Sequence, residues 1–179
     1  MELLKKPESF ENICIKTIEE IDDNKVETIM NKKDEIILTT CSSKNNNTTA
    51  WRNLETDEWI MIEENSKTWI MMPQNGEEEE FNYSFIRYER YNNSKCVVLE
   101  TTTTGEYTDV DGKSFLITTT QIWVDLKTGV ALKIENKNNM GEEYTAYATV
   151  TLNKVKDEDV AKPNLDEYTE YKYEENAGE

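Results

Sequence analysis

The sequence predicts a mainly β protein of the α+β class, a long curved antiparallel sheet forming a half-open β-barrel around one helix. Three observations carry this. In Gln121 to Glu135, Ile122, Val124 and Leu126 alternate with Trp123 and Asp125. The pattern breaks at Lys127-Thr128-Gly129 and resumes through Val130, Leu132 and Ile134, as in a β-hairpin with glycine at its turn. Glu143 to Asn153 alternates Tyr144, Ala146, Ala148, Val150 and Leu152 against Thr145, Tyr147, Thr149 and Thr151, one face core and one face wet. Finally, Trp59-Ile60-Met61-Ile62 and Trp69-Ile70-Met71-Met72 are apolar at every position, so both faces of these strands need cover.

A chain of 179 residues makes one domain, 1–179, with a flexible arm at 1–9 and an acidic tail over about 174–179. The arm contains Pro7 and reads as frayed or as a short helix. Phe10 to Ile21 fits helical spacing through Phe10, Ile13, Cys14, Thr17 and Ile18, and strand spacing through Ile13, Ile15 and Thr17. Asp22-Asp23-Asn24, a turn into Lys25 to Met30, favours the strand, with Val26, Thr28 and Met30 on one face. Glu35 to Cys41 is a β-branched run, Ser42 to Asn47 a polar loop, and Thr48 to Leu54 a strand carrying Trp51. The two Trp/Met strands then flank the turn at Glu63 to Lys67.

Gly76 to Asn93 reads as the covering helix. Phe81, Phe85 and Tyr88 recur at i, i+4 and i+7, Glu77 to Glu80 stand at the start, and Arg87 and Arg90 stand near the end, each sign opposing the helix dipole. Four consecutive carboxylates on a helix point around the cylinder, so this run is a solvated first turn rather than a cation site. Lys95 to Thr104 is a strand. Gly105 to Gly112 is a turn region containing Asp109, Asp111 and Gly112, read as a β-turn because it lacks the twelfth-position Glu and the third acidic ligand of a calcium loop. Asp157 to Ala161 is one helical turn before Pro163, and Tyr168, Tyr171 and Tyr173 mark an edge strand.

A formal net charge of −17, from 20 Lys and Arg against 37 Asp and Glu, argues against nucleic acid and against direct binding to an anionic membrane. The chain has no histidine, which removes the commonest general base and the commonest zinc ligand. Cys14, Cys41 and Cys96 show no paired spacing and read as buried thiols, with one internal disulfide as the alternative. No G-x-S-x-G, S-x-x-K or P-loop is present. The expectation is a non-enzyme with no cofactor, a carboxylate-dependent glycan hydrolase being the catalytic alternative. Trp59, Met61, Trp69, Met71, Phe81 and Phe85 are the candidate apolar concave face or interface.

The run Trp123-Val124-Asp125-Leu126-Lys127-Thr128-Gly129-Val130-Ala131-Leu132-Lys133, followed by Asp157 to Val160 and Pro163, resembles the LolA/LppX-like lipoprotein-carrier superfamily, whose members often end in a W-x-D-x-x-T-G hairpin. Trp123, Asp125, Thr128 and Gly129 are then fold markers. The acidic, Asn- and Lys-rich character is similar to clostridial spore-germination lipoproteins of the GerS type. That resemblance implies an extracytoplasmic, membrane-anchored domain that binds and activates a cortex N-acetylmuramoyl-L-alanine amidase, its membrane contact made only through a lipid anchor absent from this chain. The superfamily implies the alternative, a lipid or lipoprotein carrier with a hydrophobic cavity. Exposed β edges raise the expectation of a homodimer formed by strand exchange.

Overall fold

The computed structural model describes residues 2–21, 24–72, 82–109 and 112–171. Among them the chain opens with a four-residue helix α1 (Glu2–Lys5) and a 3-10 turn (Lys6–Ser9), then runs through β1 (Asn12–Ile21), β2 (Asn24–Lys33), β3 (Ile36–Ser42), β4 (Asn47–Asn53), β5 (Glu58–Glu63) and β6 (Thr68–Met71). After residues 73–81 follow β7 (Ser84–Tyr91), β8 (Ser94–Asp109), β9 (Gly112–Asp125), β10 (Ala131–Asn138), β11 (Glu143–Leu152), a second 3-10 turn (Asp157–Val160) and β12 (Thr169–Glu170). All twelve described strands belong to one sheet in the order β12-β6-β5-β4-β3-β2-β1-β11-β10-β9-β8-β7. The sheet is two antiparallel meanders, β1 to β6 and β7 to β11, zipped together where Ile13 to Glu20 of β1 face Thr145 to Leu152 of β11. Only β12 pairs parallel, on the outer side of β6.

Two expectations are corrected. Of the half-open barrel expected around a helix, the structure shows the long antiparallel sheet, not closed into a barrel: among the described residues β7 and β12 stand at opposite ends of a linear order. The helix expected over Gly76 to Asn93 is a strand from Ser84 to Tyr91; its first part, with Phe81 and the Glu77 to Glu80 run, lies outside the described residues. The misleading spacing has a physical source. The register of β7 against β8 shifts between Phe85 and Arg87, so Phe85 faces Leu99 while Tyr88 faces Val97, and two residues three apart share one face. Their rings meet at 5.2 Å. Asn92 and Asn93, read as a helix stop, both take positive φ (45° and 66°) and make the two-residue hairpin turn into β8.

Other readings hold. Phe10 to Ile21 resolves as strand, because β1 has a partner on each side. Met30 faces Ile15 and Thr28 faces Thr17, so the predicted β2 face is real. The turn region expected over Gly105 to Gly112, by contrast, is mostly strand: β8 runs on to Asp109 and β9 starts at Gly112, paired with each other, while residues 110 and 111 lie outside the described residues. The three thiols are free, and the disulfide alternative is not realised.

The segments before β1 and after β11, as far as they are described, lie on opposite faces of the sheet. Leu3 and Leu4 pack on Val97, Leu99, Ile122 and Val124, and Lys32 reaches the Glu8 carbonyl at 2.5 Å, so the N-terminal arm covers one face. The other face, over β2 to β6, is covered by the segment after β11. Asn12 starts this path: its side-chain amide donates to the Val155 carbonyl at 2.8 Å and accepts from the Val155 N–H at 2.9 Å, extending the β-pairing past the strand's end. A core of Ile13, Cys96, Val98, Trp123, Val130, Leu132 and Ala148 ties β1 to the second meander.

Candidate functional site

Alternation sorts the side chains of β3 to β6, whose register is unbroken. Trp51, Ile60 and Ile62 are buried on one face with Leu38 and Trp69, and Leu165 and Tyr168 pack over them. The Trp51 indole N–H donates to the Val160 carbonyl at 3.1 Å, and the Lys162 ammonium sits 5.1 Å from the Trp51 ring. Farther along, the Tyr168 hydroxyl donates to the Glu64 carboxylate at 2.8 and 2.9 Å, and Lys67 lies 5.0 Å from the Tyr168 ring. The carboxylate partner raises the Tyr168 pKa first, and burial adds to it.

The opposite face has no such seal among the described residues. Ala50, Trp59, Met61 and Ile70 fall on it by register, continued by Ile37, Met30 and Ile15 across β3, β2 and β1. All are half-buried except Met61, which is exposed. The Arg52 guanidinium lies 5.4 Å from the Trp59 ring and donates to Asp57 at 3.3 Å. A recess of about 200 Å³ lined by Met61, Ile70, Trp69 and Tyr171 opens at the β6 margin.

The six residues expected to make one apolar face therefore separate. Trp59 and Met61 share the half-covered face. Trp69 and Met71 face Ile62 and Ile60 on the other side, Trp69 against the core and Met71 exposed. Phe85 is exposed on β7, at the far edge of the sheet, and Phe81 lies outside the described residues. Ile70, Ala50, Ile37 and Ile15 complete the patch. Alternation within each strand marked these positions, but only the pairing order shows that they meet.

The marker hairpin is a structural device. The Asp125 carboxylate accepts from the Thr128 N–H at 3.0 Å and from its hydroxyl at 2.7 Å, while the Gly129 N–H donates to the Asp125 carbonyl at 2.7 Å. Asp125 is the one buried carboxylate among the described residues, and Thr128 occupies it. Trp123 is enclosed rather than presented: Lys133 stands 4.5 Å and Arg87 5.9 Å from its ring. Burial pushes the Cys96 and Cys14 thiols up, away from the thiolate. Among the described residues no group of three or more Cys, Asp or Glu converges on a metal site, and no helix is long and apolar enough to cross a membrane.

No protein-family model matches the chain, and no curated protein matches it in sequence. Solved structures do match. An uncharacterized conserved protein from Thermus thermophilus superposes with a TM-score of 0.67 at 7% identity, over 95% of this chain and 96% of that one. A DUF1329 family protein from Desulfovibrio piger aligns at 10% identity over 87% and 93% of the two chains, with a TM-score of 0.35. The first shows a shared fold along the whole chain.

Proposed function

We propose that this chain is a non-enzymatic extracytoplasmic lipoprotein domain, held at the membrane by a lipid anchor, that binds and activates a cell-wall N-acetylmuramoyl-L-alanine amidase through its Trp59 face. The carrying observation is the asymmetry of β4 to β6. One face is sealed by the chain's own C-terminal segment, while the other leaves Trp59, Met61 and Ile70 half-covered beside Arg52 and Asp57. An apolar patch with a charged margin has the anatomy of a protein interface. The amidase as partner comes from the resemblance to spore-germination lipoproteins. The test is to mix the purified chain with such an amidase and measure peptidoglycan hydrolysis. Activity should rise, and Trp59→Glu with Met61→Glu should remove the rise while the melting temperature stays unchanged. An amidase indifferent to the wild-type chain overturns the reading.

The same face favours a second reading, a lipid carrier. From β1 to β6 the strip through Ile15, Met30, Thr39, Ala50, Met61 and Ile70, apolar but for Thr39 and flanked on β3 by Ile37, crosses five strand spacings, roughly 24 Å at about 4.8 Å each, room for an extended acyl chain. Native mass spectrometry of the chain mixed with a bacterial lipid extract decides between them. A bound lipid lost in Met61→Glu supports the carrier.

A further inference from the structure

We propose that a groove across β9 to β11, separate from the Trp59 patch, binds a neutral polyhydroxylated ligand, a short oligosaccharide of N-acetylated amino sugars. The register sets Thr101, Thr120, Asn136 and Tyr144 side by side in one row across four strands, on the face that carries Leu99, Ile122, Ile134 and Ala146 in the row before. Thr118 and Asn138 pair in the row after. Where the N-terminal arm's apolar floor ends, the same face therefore turns to hydroxyls and amides. A groove of about 880 Å³ opens there, lined among others by Leu116, Thr118, Asn136 and Tyr144. That volume lies toward the upper end of the roughly 300–1,000 Å³ of small-ligand sites and suits several sugar rings rather than one.

The chemistry of the lining selects the ligand class. Thr101 and Asn136 are polar groups held almost out of solvent, and the Thr120 hydroxyl donates to the Asn136 amide oxygen, fixing its orientation. An acyl chain over the half-buried Thr118, Thr120 and Asn138 would strip the water these side chains still keep without replacing its hydrogen bonds, whereas sugar hydroxyls and acetamides replace them. Tyr144, with 39% of its surface exposed, offers a ring for the apolar face of a pyranose. Anions are disfavoured. Lys137 is tied to Glu143 at 2.9 Å, and Glu142 accepts from Asn138 at 2.7 Å, so the rim presents carboxylates and neutral groups.

The test is calorimetric titration of the full chain with the β-1,4-linked tetramer of N-acetylglucosamine, with backbone amide shifts followed by NMR. The expected result is saturable binding, shifts centred on Thr118, Asn136 and Tyr144, and affinity roughly tenfold weaker in Tyr144→Ala, the loss of one aromatic stacking contact. Tyr144→Phe keeps the ring and should bind within about threefold of wild type. Absence of saturable binding at millimolar sugar overturns the proposal. So does unchanged affinity in a Tyr144→Ala variant with wild-type melting, or a shift pattern centred on Trp59. None of these outcomes depends on whether an amidase is activated.

Discussion

A methyl group at position 129 has nowhere to go. Gly129 has φ +74°, and a Cβ built there overlaps the Leu3 carbonyl oxygen and comes within 2.8 Å of the Lys6 Cβ and 3.0 Å of the Pro7 Cδ. The glycine thus serves two ends at once, the positive φ of the turn closed by Asp125 and Thr128, and the close approach of the N-terminal arm, which Lys6 also secures through the Leu126 carbonyl at 3.1 Å. Gly129→Ala should cost about 1–2 kcal/mol from the left-handed backbone alone, and more because the arm must lift. Urea unfolding reads the loss of stability, and limited proteolysis should cut first within 1–9. A variant as stable as wild type would mean that the arm is not seated on the turn. The motif's turn chemistry was legible at Trp123, Asp125, Thr128 and Gly129. The arm's dependence on it was not, because Leu3 and Gly129 are brought together only by the fold.

At the scale of elements, the segment after β11 works as a strap across the β3 to β6 face, anchored by the Val160 carbonyl on Trp51 and by Tyr168 on Glu64. Tyr168 and Lys67 both have pKa values raised in the fold, each first by its bond to the Glu64 carboxylate. The sign follows. A group whose folded pKa exceeds its unfolded value contributes stability below the unfolded value, near 10 for a phenol, and that contribution is lost as pH rises through the folded pKa. The strap should therefore loosen in the alkaline range above about pH 10, while neutral and mildly acidic pH leave it in place. Ultraviolet titration of phenolate, compared between wild type and Tyr168→Phe, checks this: Tyr168 should titrate above the usual range beside Tyr83 and Tyr144, which burial also raises, and the variant should lose one high-titrating phenol while the other two remain. The strap's anchor points were only partly legible. Asp157 to Val160 and the tyrosine-rich end were readable as a turn and an edge strand, but Trp51 gave no hint that a distant carbonyl would take its N–H. The β7 error has the same root, since a bulge lets Phe85 and Tyr88 share a face at helical spacing and only the partner strand reveals it.

For the whole molecule, alternation within strands made a long antiparallel sheet readable, yet the β1–β11 pairing that joins the meanders links residues more than a hundred positions apart and leaves no local mark. One whole-chain quantity was readable outright. The charge of −17 leaves 17 of the 37 acidic side chains in excess of the 20 basic ones, while ion pairs such as Lys137 with Glu143 at 2.9 Å are solvent-exposed. Exposed pairs contribute about 0–1 kcal/mol each and weaken in salt, whereas mutual repulsion among the excess acids opposes folding and is also screened. With 37 acids against 20 bases the second effect is the larger. Raising ionic strength from about 0.01 M to about 0.15 M shortens the screening length from about 30 Å to about 8 Å and should raise the melting temperature. A melting temperature that falls over the same range would mean that the surface ion pairs outweigh the net repulsion, and that the acidic surplus is organised rather than diffuse.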